Sequence, residues 1–183
     1  MTFSRAGFGA LLALLLVGAC AGDDPDRDAF RGPGLHAAKL QADSRARAYE
    51  AAIRTAFDLE DPGVSILIDD RVLPRAAGVD SAATVPAAVV SQLSQRGVIR
   101  GACRPRIGSK AAPRCKAALP GYVVRFSDVL AAGKDSAQVY MWAEKYDNAN
   151  SGFSAPLRFE RAYQLIKTAG GWRAAQEAHI PVS

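Results

Sequence analysis

The sequence predicts an α+β fold, with N-terminal helices packed on a C-terminal antiparallel sheet of about four strands. Three observations lead there. Apolar residues fall at steps of four through Tyr49, Ile53 and Phe57, the period of a helix buried on one side. From Tyr122 onward apolar residues alternate with polar ones, the period of a strand. Gly170-Gly171 separates the last two alternating runs and marks a tight turn.

The first helix is expected to start at His36 or Asp43 and to end at Phe57. Ala52 and Ala56 widen its apolar stripe, while Arg45, Arg47, Glu50 and Arg54 cover the other side. Asp61-Pro62-Gly63 is a turn, residues 64–69 read as a short β-rich strand, and residues 74–83 read as a loop. Thr84 is placed to cap a second helix, with Pro86 in its first turn, where a missing N–H costs no hydrogen bond. Val85, Val89 and Leu93 line one face of that helix, and Gly97 stops it. Residues 98–100 read as a short strand.

Four longer runs follow, at residues 122–130, 137–146, 157–167 and 172–180. Tyr122, Val124, Phe126 and Leu130 share a face of the first. In the second, Val139 and Met141 oppose Tyr140 and Trp142, so both faces are apolar. In the third, Leu157, Phe159, Tyr163 and Leu165 share a face, with Arg158, Glu160 and Gln164 opposite. Short links between successive strands favour antiparallel pairing.

The N-terminal residues have a different character. Residues 6–19 are uncharged and leucine-rich, and Arg5 is the one charge before them. The run is shorter than the ~20 apolar residues that cross a bilayer. A basic start and a short apolar run form a secretory signal, and the run closes on Val17-Gly18-Ala19-Cys20. This resembles the bacterial lipobox, in which an aliphatic residue and two small residues precede a cysteine. The resemblance implies that the Cys20 thiol receives diacylglycerol, that residues 1–19 are removed, and that the new terminal amine is acylated. Two or more acyl chains hold a protein firmly to a membrane where one does not. Ala21 follows Cys20, so the aspartate that retains enterobacterial lipoproteins at the inner membrane is missing there. The expected location is therefore the cell envelope, lipid-anchored outside the cytoplasm, with the outer membrane favoured where the source has one.

Asp, Pro and Gly dominate residues 21–35, a composition that cannot bury enough surface to offset its ordering entropy. The expected organisation is a signal peptide at 1–19, a lipidated cysteine and disordered tether at 20–35, and one α+β domain at 36–183. With 49% hydrophobic and 22% charged residues, the chain suits one globular domain with a tail. The formal charge of +5 is mild, and no dense basic stripe interleaved with aromatics suggests nucleic acid as a partner.

The closing stretch Tyr-Gln-Leu-Ile-Lys-Thr-Ala-Gly-Gly-Trp-Arg resembles the last hairpin of NTF2-like or cystatin-like domains. The region from Tyr122 also resembles uncharacterised bacterial secreted domains, a likeness that carries no known chemistry. The NTF2-like resemblance implies a cone that can hold a small-ligand or enzymatic pocket, for which Asp128, Glu144 and Tyr140 are the candidates.

Chemistry-bearing motifs are otherwise sparse. Ser127, Asp128 and His179 lack the strand-to-helix elbow that exposes a nucleophilic serine. Glu177 and His179 share a strand face, but no His or Cys cluster supplies a third metal ligand, and the other histidine, His36, borders the tether. No phosphate-binding or dinucleotide motif is present, so neither cofactor nor metal is expected. Outside the cytoplasm, Cys103 and Cys115 are expected to form a disulfide, worth ~3 kcal/mol for a loop of about a dozen residues. Their segment carries Arg104, Arg106, Lys110, Arg114 and Lys116 without an acid, a candidate contact for anionic lipid or cell-envelope polymer. The leading expectation is a non-enzymatic binding or structural module tethered to a membrane. The NTF2-like pocket protein is the alternative.

Overall fold

The apolar stripe at steps of four becomes helix α1, Ala42–Ala56, with Ala46, Tyr49, Ala52 and Ile53 all fully buried along it. The computed structural model describes residues 36–38, 40–75, 82–103, 121–146 and 157–180. Around α1 these residues form a single sheet and a second helix. Strand β1 (His36–Ala37) precedes α1, and β2 (Ile66–Leu73) follows it. Helix α2 (Ala87–Gln95) then leads into β3 (Gly101–Cys103). The remaining strands are β4 (Gly121–Ser127), β5 (Leu130–Ala131), β6 (Ser136–Tyr146), β7 (Arg158–Thr168) and β8 (Gly171–Ile180).

The class is α+β, as the sequence predicts, but the sheet is larger than four strands and is mixed. Its order is β3-β2-β4-β6-β7-β8, with β5 continuing β4 along the same edge of β6 and β1 flanking β5. The four long C-terminal strands pair antiparallel, while β2 runs parallel to both β3 and β4. The parallel half follows from α2. A helix in the connection returns the chain to the end it left, so β2 and β3 point the same way.

Several local expectations are corrected. Thr84 does not cap α2: the helix starts at Ala87 with Pro86 at the cap position and no side-chain cap, while Thr84 bridges to Arg71. The short strand after α2 lies at Gly101–Cys103, not at 98–100, because Val98 and Ile99 are instead buried in the core. The run 122–130 is broken at Asp128 and Val129, where β4 ends and β5 begins. Leu157 is not on the buried face; it precedes β7 and is 58% exposed.

Both helices lie on one side of the sheet. Val124 and Phe126 of β4, Val139 and Met141 of β6, and Tyr163 and Leu165 of β7 face them, all fully buried. Tyr49 stacks on Phe126 with ring centroids 4.3 Å apart and planes 9° from parallel. At the far end of α1, Phe57 packs against Tyr122 and Phe159. Val89 and Leu93 of α2 complete this layer, and Gly97 ends the helix in the left-handed conformation, φ 68°. Arg96, at the end of α2, reaches Glu50 at 3.0 Å and Asp43 at 2.5 Å, two turns apart on α1. Arg47 also bonds Asp43, and its hydrogen bond, with both arginine charges nearby, holds that carboxyl below its ordinary range.

The β2–β4 pairing also explains Gly121. A Cβ there would stand 2.5 Å from the Ser65 carbonyl oxygen, which is backbone and cannot swing aside. Gly121→Ala is therefore expected to cost about 1–3 kcal/mol by overpacking, whereas Gly170→Ala, with open space around it, should stay within ~0.5 kcal/mol. Urea midpoints of the two variants check this; equal midpoints would show that β2 and β4 do not approach so closely at Gly121.

Candidate functional site

Strand alternation puts every second side chain on the sheet face away from the helices, and that face carries an unusual row. In register, Cys103 of β3 stands beside Asp69 of β2, Asp69 beside Arg125 of β4, Arg125 beside Trp142 of β6, and Trp142 beside Glu160 of β7. Their strand neighbours Ile68, Val124 and Met141 point into the helix-facing core, so the row projects the other way.

Two acids in the row are buried, Asp69 at 1% exposure and Glu160 at 4%. Each is held by arginine. Arg71 grips Asp69 with two parallel bonds, Nε to Oδ1 at 3.0 Å and Nη2 to Oδ2 at 2.6 Å. Arg125 approaches the same carboxylate from β4 at 3.7 Å, and its Nε donates to the Arg71 carbonyl. Burial lowers the pKa of Arg125, and the Asp69 charge opposes that shift. Arg75 binds Glu160 Oε2 and also lies over the Tyr140 ring, 5.9 Å from its centroid. Glu160 Oε1 is buried and has no hydrogen-bond partner. An unsatisfied buried acceptor costs about 1–3 kcal/mol, so this oxygen is an anomaly of the face.

The residues singled out from the sequence lie elsewhere. Asp128 is paired with Arg45 of α1 at 3.0 Å, just beyond the end of β4. Glu144 pairs with Arg158 across β6 and β7 at 2.9 Å. Glu177 pairs with Arg161 at 2.9 Å, and His179 is exposed farther along β8. Each of these three acids thus has its own arginine. Tyr140 lies under Arg75, and the Ser127 hydroxyl donates to the Asp128 carbonyl while accepting from the Tyr140 N–H. No group of three or more His, Cys, Asp or Glu side chains with metal-binding geometry occurs among the described residues. No helix among them is long and apolar enough to cross a membrane.

Cys103 is buried at the end of β3. Cys20, Cys115 and the cations Arg104, Arg106, Lys110, Arg114 and Lys116 lie outside the described residues, as do the leader and the tether. What is described is where the basic segment is attached. It leaves β3 at Cys103 and returns at Gly121 of β4, on opposite edges of β2.

The sequence reading passed over Asp69, Arg71, Arg75 and Arg125. Asp69 closes an apolar β-run and alternation already turns it away from Ile68, but nothing local signals that it is buried. Its partner Arg125 lies 56 positions later, and Arg75 meets Glu160 across 85.

Asp69→Asn would leave two guanidinium groups facing a neutral amide in a largely buried site. The expected cost is about 2–4 kcal/mol. Glu177→Gln, which breaks an exposed pair with Arg161, should cost under about 1 kcal/mol. Denaturant midpoints distinguish the two; equal small losses would mean that the Asp69 cluster contributes no more than a surface pair.

No protein-family model matches the chain, and no curated protein matches it.

Proposed function

We propose that the chain is the precursor of a cell-envelope lipoprotein, lipidated at Cys20, whose domain is a non-enzymatic binding or structural module. The observation that carries the module reading is the packing between the helices and the sheet. Tyr49, Val124, Phe126, Val139, Met141 and Leu165 occupy the side on which an NTF2-like cone would hold a ligand. Function is then assigned to outer surfaces. The anchoring reading is supported by the leader and by Val17-Gly18-Ala19-Cys20.

In this reading the membrane is the first partner, through the acyl chains, with the outer membrane favoured where the source has one. Between Cys20 and His36 the chain can reach at most ~55 Å from the bilayer. The second contact is anionic lipid or cell-envelope polymer, met by Arg104, Arg106, Lys110, Arg114 and Lys116. Each cation near an anionic surface adds about 1 kcal/mol. We further propose that Cys103 and Cys115 close this basic segment as a disulfide. The attachment of the segment to two strands of one sheet supports its acting as a held loop.

Cys20→Ser cannot form the thioether, so the variant should lose fatty-acid labelling and leave the membrane fraction. Equal labelling of the wild type and the variant would end the lipoprotein reading. For the basic segment, intact mass with alkylation before and after reduction should show two thiols newly reactive on reduction. Alkylation of both without reductant would remove the disulfide from the account.

A further inference from the structure

We propose that the cleft at the starting ends of β2 and β3 binds a small aliphatic carboxylate, with the carboxylate met by Arg100 and the Ser65 hydroxyl and the chain lying on Leu59, Val64 and Val98. The cleft opens between the connection from α1 to β2 and the connection from α2 to β3. The proposal does not depend on lipidation of Cys20 or on the basic segment.

The cleft follows from how the two parallel strands begin. The Arg100 N–H donates to the Ile66 carbonyl at 2.7 Å. Before that rung no backbone hydrogen bond joins residues 64–65 to residues 97–99. The Val98 N–H turns back to the Leu93 carbonyl of α2, and the Val64 N–H to the Asp61 carbonyl of the preceding turn. A space of about 370 Å³ lies between the two connections, within the size range of small-molecule sites. A Cβ on Gly97 would meet nothing within 4 Å, so the α2 side of the mouth stays open.

Three observations converge on the ligand chemistry. First, the walls are largely apolar, with Leu59, Val64, Ile66, Val98 and Ile99 lining the space. Second, Arg100 is the one charged residue among those lining it. It is exposed, and its guanidinium makes no hydrogen bond or ion pair among the described residues. Asp58 and Glu60, on either side of Leu59, line a separate hollow at the end of α1. Third, two buried lining residues carry donors without acceptors. Ser65 is 7% exposed and its hydroxyl makes no hydrogen bond. Ile99 is 5% exposed and its N–H makes none, although the N–H groups of Val98 and Arg100 on either side are both paired. Donors in buried residues are nearly always paired, so two such donors at one cleft point to an acceptor that the chain itself does not supply. The sealed, unpartnered side-chain atoms among the described residues are Gln92 Oε1, Glu160 Oε1 and Tyr163 OH. The Ser65 hydroxyl is not one of them, so it keeps surface that a ligand can reach. One guanidinium and two neutral donors match a single negative charge shared by two oxygens, and the apolar walls match an alkyl chain.

Hexanoate is the probe, and the backbone amide resonances of Ser65, Gly97 and Ile99 in the exported mature chain are the readout. Hexanoate is expected to shift them saturably. Hexanamide, which keeps the chain and loses the charge, should bind at least ~10-fold more weakly. Arg100→Gln, at an exposed position, should abolish the preference for hexanoate over hexanamide. Ser65→Ala, which keeps the Cβ, should weaken hexanoate by about 2–10-fold. Absence of a saturable shift up to ~10 mM hexanoate, or equal affinity for the acid and the amide, would overturn the proposal. Either variant binding hexanoate as tightly as the wild type would overturn it as well.

Discussion

Tyr49 joins the helical layer to the sheet through two contacts at once. Its ring lies parallel to Phe126 at 4.3 Å, and its hydroxyl donates to the Ser127 carbonyl at 2.8 Å. The ring supplies apolar contact, and the hydrogen bond satisfies both the phenol and a backbone carbonyl at the point where β4 ends. Burial raises the phenol's pKa well above its ordinary value, so it remains a donor throughout the neutral range. Through this residue α1 is tied to the end of β4. Arg45 one turn earlier pairs with Asp128, and Trp172 of β8 donates to Ser44 on the same helix. These contacts hold α1 across the antiparallel half of the sheet.

That arrangement divides the molecule's chemistry between two faces. The helix-facing side is apolar and filled. The opposite side carries buried acids, with Arg71, Arg75 and Arg125 arranged around Asp69 and Glu160. Buried ion pairs seldom add net stability over an apolar alternative, because desolvation offsets the attraction. The basic segment between β3 and β4 departs from the end of the same row, at Cys103.

How much of this was legible follows from the range of each signal. The α1 stripe is local: Tyr49, Ile53 and Phe57 follow one another along a single helix, and their period survives intact in the fold. The long strands β6, β7 and β8 were legible for the same reason, since alternation and Gly170-Gly171 are read within a few residues. The parallel pairing of β2 was not. It is fixed by α2 and by a partner, β4, more than fifty positions away. Thr84 had the composition of a cap, but its backbone pairs with Arg71, and that pairing decides where α2 can begin. The acids show the same limit. Glu160 was correctly placed opposite Tyr163 and Leu165, yet its burial depends on Arg75 from another part of the chain.

The central claim is that the space between the helices and the sheet is closed by side chains, so that binding belongs to the outer surfaces. Benzene, which enters dry apolar cavities when they exist, tests this directly. Titrating benzene into the wild-type protein while following backbone amide resonances is the measurement. The account predicts no saturable shift at Tyr49, Phe126, Met141 or Tyr163. A saturable shift confined to those residues would reveal an open interior and move the pocket reading ahead of the module reading.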